Sequence, residues 1–130
     1  MDISESEIFE LQNFINLLNS TKDSIVVVEG KRDVVALKKL GYSGKICEFH
    51  KFKGLAKFVD SMAFNKRLIL MLDLDRKGKY LTGRIISQLE HRIKIDLSFM
   101  RKLAGITKGK IRHVEDLSLY ADRPLFIPYQ

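Results

Sequence analysis

With 130 residues, 45% of them hydrophobic and 30% charged, and 2 prolines, the chain has the make-up of one globular domain with a single core, not of a disordered or fibrous chain. The formal charge of +7 is unevenly spread: residues 1–23 set Lys22 against Asp2, Glu5, Glu7, Glu10 and Asp23 for a net −4, leaving +11 on the rest, which suits a polyanion such as nucleic acid or a lysine-rich solubilising surface. The longest apolar run, Leu68–Leu72, is far short of the ~20 residues that cross a bilayer, the acidic start is unlike a signal peptide, and Cys47 stands alone; a cytoplasmic protein with no membrane partner, disulfide or cysteine-rich zinc site is expected.

In chain order, Ser4-x-x-Glu7 reads as a capping box that opens an acidic helix, with Ile8, Leu11, Phe14, Ile15 and Leu18 at helical spacing up to about Asn19. Ser24–Glu29 is a β-branched run, the pattern of a strand covered on both faces. Asp33 then caps a helix that runs through Leu40 and ends at Gly41. Lys45–Phe49 is a weaker strand, and Leu55–Phe64 has helical period through Leu55, Phe58, Val59 and Met62. Leu68–Leu72 is the strongest strand. A helix from about Lys79 to Arg92 follows, with Leu81, Ile85, Ile86 and Leu89 on one face. Asp96-Leu97-Ser98 starts a short helix through Ala104. Lys110–Val114 reads as a fourth strand, Glu115–Tyr120 as a last helical turn, and residues 123–129, with both prolines, as an extended tail. Strands alternating with helices predict an α/β fold, a Rossmann-like three-layer sandwich of about four mostly parallel strands with helices on both faces. The acidic helix (residues 1–22) precedes a core at 24–116, and residues 117–130 form an extension.

Two apolar runs end in carboxylates and then a glycine: Val26-Val27-Val28-Glu29-Gly30-Lys31 and Leu70-Met71-Leu72-Asp73-Leu74-Asp75-Arg76-Lys77-Gly78. Sites in open parallel sheets form at the carboxyl ends of strands, where the strand order reverses. If these two strands are neighbours, Glu29, Asp73 and Asp75 share one crevice, because residues two apart in an extended chain point the same way. Three carboxylates that close repel without a cation, and Mg²⁺, a hard ion held by one or two carboxylates plus substrate phosphate, answers that need. Gly30 and Gly78 would let backbone approach a ligand. Lys31, Arg32, Lys53, Arg76 and Lys77 stand where a phosphate backbone would lie. Taken singly, Asp73 or Asp75 reads as a helix cap or solvated turn and Glu29 as a surface partner of Lys31 or Arg32; only the joint spacing points to a metal. His50 reads as a surface residue, His91 as solvated, and His113 as a flank of the site. Phe49, Phe52 and Tyr80 fall among basic residues and are candidates for base stacking.

Segments Val26–Asp33 and Leu70–Gly78 resemble the two acidic motifs of the Toprim domain, a module shared by topoisomerases, primases and certain nucleases. The resemblance spans roughly Ser24–Asp116 and is strongest in those motifs. It implies Glu29 as general acid or base and metal ligand, and Asp73 and Asp75 as ligands of Mg²⁺, for which Mn²⁺ substitutes. Lys110–Asp116 is similar to the strand-then-acid ending of small nucleases that mature ribosomal RNA; Glu115 there reads as a cap rather than a second metal ligand. No tyrosine stands in a topoisomerase context and no zinc-binding primase segment is present, so neither activity is expected. The lysine-rich composition is that of an archaeal-type, stand-alone member. Two functions follow as expectations: a Mg²⁺-dependent nuclease on structured RNA or DNA, or a non-catalytic nucleic-acid-binding subunit with protein partners in an RNA-processing, replication or repair assembly. A nucleotide-binding or phosphatase-like protein is a weaker third, since Glu29-Gly30-Lys31 is no P-loop.

Overall fold

The computed structural model describes residues 2–123. Four strands form one wholly parallel sheet: β1 (Ile25–Val28), β2 (Ile46–Glu48), β3 (Arg67–Leu70) and β4 (Lys94–Asp96), in the order β2-β1-β3-β4. Parallel neighbours need crossovers, and helices supply them: α2 (Lys31–Lys39) between β1 and β2, α3 (Leu55–Met62) between β2 and β3, and α4 (Arg76–Leu89) between β3 and β4. Helix α1 (Glu5–Ser20) precedes the sheet; α5 (Ser98–Ile106), a 3-10 turn (Val114–Leu117) and the short α6 (Ser118–Ala121) follow it.

The period-2 alternation of the central strands divides the core in two. Val26, Val28, Ile69 and Met71 pack with α1, α2, α5 and the closing turns. Val27, Leu68, Leu70 and Leu72 point the other way, onto Phe58 and Met62 of α3 and Ile85 and Leu89 of α4. The α/β three-layer arrangement is therefore the one the alternation of elements predicted. Ser4 caps α1, its side chain accepting the Glu7 N–H (3.1 Å). No helix among the described residues is long and apolar enough to cross a membrane.

Three local expectations are corrected. The fourth strand is Lys94–Asp96, not Lys110–Val114. Lys94 N–H donates to the Lys66 carbonyl (3.2 Å), so it is β4 that takes the free edge of β3. In that segment Ile111 and Val114 are buried, a spacing of three that belongs to a turn and not to a strand. Second, α2 begins before Asp33: Gly30 is its N-cap, and Asp33, at the third helical position, reaches back to accept the Gly30 N–H (3.0 Å). Third, α4 begins at Arg76 rather than Lys79, because the Asp75 carboxylate accepts the Gly78 N–H (2.7 Å) and caps the helix there. The extended reading of the tail from Pro124 on, and most of the extension placed at 117–130, lie outside the described residues.

Candidate metal centre

Chain order sets the location. From β1 the chain moves out to β2 on one side, and from β2 it returns to β3 on the other, so the reversal falls between β1 and β3. Glu29 leaves the end of β1 and Asp73 the end of the β3 run, and they meet across that boundary: Glu29 Oε2 accepts the Asp73 N–H (2.9 Å). This bond joins two stretches 44 residues apart.

The closest gathering of ligand atoms is not the trio read from sequence. Among the described residues, Asp73, Asp75 and His113 form the group whose ligand atoms all lie within 4.8 Å of one another. His113 Nδ1 is 3.4 Å from Asp73 Oδ2 and 4.0 Å from Asp75 Oδ2. Glu29 stands beside this group, one oxygen committed to the Asp73 backbone. His113 arrives because the segment that fails to be a strand is tied down at the site: Leu74 N–H donates to the Arg112 carbonyl (2.7 Å), and the Arg112 guanidinium returns a bond to the Leu74 carbonyl (3.0 Å). Its sequence signal was only its place in the segment read as a fourth strand, where it was expected to flank the site.

Asp33 is the other residue whose part was missed. It is 6% exposed. Burial pushes its carboxyl above the ordinary 3.8, with the charges of Glu115 and Glu29 adding to this, while the Gly30 and Glu115 backbone N–H groups oppose it. Asp73 is driven further. Burial first, then the charges of Glu29 and Asp33, push it up to about 7, against the pull of His113 and the Val114 N–H. One of its oxygens, Oδ1, is buried with no hydrogen-bond partner. A buried, unpartnered carboxylate oxygen is costly unless something positive meets it. The other oxygen, Oδ2, faces His113, and two carboxylates and an imidazole gathered there, with Glu29 alongside, fit a divalent cation by donor chemistry: hard oxygens for Mg²⁺, with the nitrogen favouring Mn²⁺ or a later transition ion.

The predicted cations are all exposed: Lys31 and Arg32 in the first turn of α2, Arg76 and Lys77 in the first turn of α4, and Lys53 in the loop after β2. All five leave from the carboxyl edge of the sheet, where the N-termini of α2 and α4 also point their positive ends. Arg32 lies 3.9 Å from Glu115. Glu115 itself sits in the 3-10 turn, and its N–H serves Asp33. Of the aromatic stacking candidates, Phe49 and Phe52 pack on the buried Phe58 (centroids 5.1 and 5.5 Å), so their rings belong to the core; Tyr80 is exposed.

The two glycines divide. Gly30 is extended, and a Cβ there would only touch His50 Nδ1 at 3.4 Å. At Gly78 a Cβ would fall 1.9 Å from the Asp73 carbonyl oxygen. Gly78 is therefore needed because the backbone of Asp73 itself occupies the space, which holds the first turn of α4 against the site.

Comparison with known proteins bears on the fold and the family. Residues 23–100 match the sequence model of the family described as the Toprim domain. A "UPF0292 protein" of Methanocaldococcus jannaschii is 35% identical over 104 residues, 78% of this chain and 80% of that one, and one of Thermococcus sibiricus is 33% identical over 96 residues, 73% and 75% respectively. A solved structure described as a putative protein from Aquifex aeolicus superposes with a TM-score of 0.60 at 25% identity, over 89% of this chain and 99% of that one. With a parallel sheet, a glutamate closing its first strand and an Asp-x-Asp closing the third, the chain belongs to the Toprim domain family.

Proposed function

We propose that this protein is a divalent-metal-dependent nuclease, cleaving phosphodiester bonds in structured RNA or DNA, with Mg²⁺ as the working ion and Mn²⁺ as its substitute. The observation that carries the reading is Asp73 Oδ1, a buried oxygen without a partner, in a carboxylate crowded by Glu29 and Asp33. Such a group is poorly placed for stability and well placed for a cation. Asp73 and Asp75 would hold the ion, with His113 beside them. When bound, it would neutralise charge on the scissile phosphate and lower the pKa of a bound water. Glu29, fixed by the Asp73 N–H, keeps a second oxygen for proton transfer, which suits a general acid–base. Lys31, Arg32, Lys53, Arg76 and Lys77, exposed along the same edge with two helix N-termini, would hold the flanking phosphates.

A specific observation also favours the second reading, a nucleic-acid-binding subunit that does not cut. Asp75 gives Oδ1 to the cap of α4, which leaves one oxygen for an ion. A panel of labelled RNAs and DNAs, single-stranded, duplex and hairpin, distinguishes the two. The enzyme reading expects cleavage that requires Mg²⁺ or Mn²⁺ and drops at least a hundredfold in Asp73→Asn and in Glu29→Gln. Metal-dependent binding without cleavage supports the subunit reading, and cleavage unchanged in both variants overturns this account of the site.

A further inference from the structure

Strand β4 stops early. It pairs with β3 only as far as Ile69 with Asp96, while β3 continues to Leu70 and the chain goes on through Met71 and Leu72 to the acids. Asp96 Oδ1 then accepts the Ser98 N–H (2.8 Å), and the chain turns into α5. The space a longer β4 would have filled is a cavity of about 230 Å³ between α4 and α5, opening at Asp73. Leu70 and Leu72 form one wall; Leu97, Met100 and Ala104 form the facing one. Met71 donates its N–H to the Val27 carbonyl (2.9 Å), so the backbone polar groups of Leu72 turn the opposite way, to the side where β4 has ended. Thr82 lies in the lining, and Lys79 and Arg101, both exposed, complete it.

Apolar walls, a few hydrogen-bonding groups and two cations, opening on a cluster of carboxylates, make a poor site for a hydrocarbon and a good one for a nucleotide. The volume decides how much of one. Pockets for drug-sized ligands run to roughly 300–1,000 Å³, so this cavity takes a single base and not a dinucleotide or a base pair. We propose that the α4–α5 cavity receives one unpaired nucleobase of the strand whose phosphate lies at Asp73 and Asp75. This rests on the phosphodiester reading above and narrows it: the substrate is single-stranded, or presents an unpaired base at a junction or end, because a base paired and stacked in a continuous duplex has no free face to insert. Lys79 and Arg101 take the phosphate next to that base, and the Leu72 backbone and Thr82 meet its polar edge.

The test uses single-stranded RNA and DNA oligonucleotides in which one abasic residue is moved along the sequence. Binding is measured in Ca²⁺, which takes the same oxygen ligands. Wild-type protein is expected to lose roughly tenfold to a hundredfold in affinity at one abasic position only. Ala104→Phe, which fills the cavity, is expected to lose as much on the intact strand, to lose nothing further on that abasic strand, and to keep its affinity for Mn²⁺. Thr82→Leu narrows the same cavity from α4 and serves if the Phe variant does not fold. Uniform loss along the strand, or wild-type affinity in both variants, overturns the proposal. If strand and Mn²⁺ bind but no abasic position matters, the cavity assignment falls and the phosphodiester reading stands; if neither binds, both fall.

Discussion

Replacing Asp73 by asparagine should make the metal-free protein more stable. The carboxyl rises from 3.8 to about 7, through burial and then the charges of Glu29 and Asp33. Between those two pH values the unfolded chain releases this proton while the folded chain keeps it. Stability from this group is therefore intact below pH 3.8, falls as pH rises through the window, and above about 7 the whole penalty is present. A rise of that size is worth at most about 4 kcal/mol. The side chain is 18% exposed, so solvent removes part of it. Asparagine keeps the shape and drops the charge. Allowing about 1 kcal/mol for weaker hydrogen bonds from the surrounding N–H groups, the net gain is about 2 kcal/mol, or roughly 8 °C in Tm. Urea titrations in EDTA at about pH 8 measure it, and the gap should close as pH is lowered toward 4. Saturating Mg²⁺ should then reverse the ranking, since an ion at a hundred times its Kd adds about 2.7 kcal/mol to whichever protein binds it. If Asp73→Asn is less stable than wild type in EDTA, the carboxylate is a stabilising partner and not a strained charge, and the case for a cation there loses its basis.

Two further substitutions test the account of the scaffold. Gly78→Ala puts a Cβ at 1.9 Å from the Asp73 carbonyl oxygen, a backbone atom, and should cost about 3 kcal/mol or more; Gly83→Ala, in the same helix with open space around it, should instead gain about 0.5–1 kcal/mol, and urea midpoints of the pair give the comparison. Glu7 concerns the acid limb. Burial pushes its carboxyl up, but hydrogen bonds from Lys110 (2.8 Å) and Tyr120 (2.9 Å), with the Lys110 charge, hold it below the ordinary 4.5. Its contribution is thus present above pH 4.5 and lost as pH falls through the lowered value. Glu7→Gln should cost about 2 kcal/mol at neutral pH and flatten the loss of stability below pH 4.5, read by circular dichroism against pH.

The central half of the molecule was legible because its signals are local. Val26–Val28 and Leu68–Leu72 are apolar without interruption, which only strands covered on both faces require, and their odd and even residues do separate onto the two cores. That β1 and β3 are neighbours was a condition of the sequence reading, and the pairing of Val26 with Ile69 meets it. The failures are tertiary. Lys94-Ile95-Asp96 is too short to show a period, and it is a strand because the free edge of β3 accepts it. Lys110–Val114 has the look of a strand, but its backbone groups and those just after it are turned to other uses: the Arg112 carbonyl accepts the Leu74 N–H, the Val114 N–H serves Asp73 and the Glu115 N–H serves Asp33. His113 enters the metal group through that loop, and no spacing within the sequence announces a contact set by hydrogen bonds to residues nearly 40 positions earlier.

The same loop explains the acidic N-terminal helix, whose charge is out of keeping with a nucleic-acid surface. Its buried Glu7 holds the Lys110 ammonium group and the Tyr120 hydroxyl, residues on either side of His113 in the chain. Lys110 also reaches the Asp2 carbonyl, so the first and last parts of the described chain are joined there. The segment that carries His113 is thus clamped at one end by α1 and at the other by the carboxylates it serves. Both α1 and this segment lie outside residues 23–100, the part matched to the family. The carboxylates lie within the part matched to the family, and the imidazole is brought to them by a segment that α1 holds in place through Glu7.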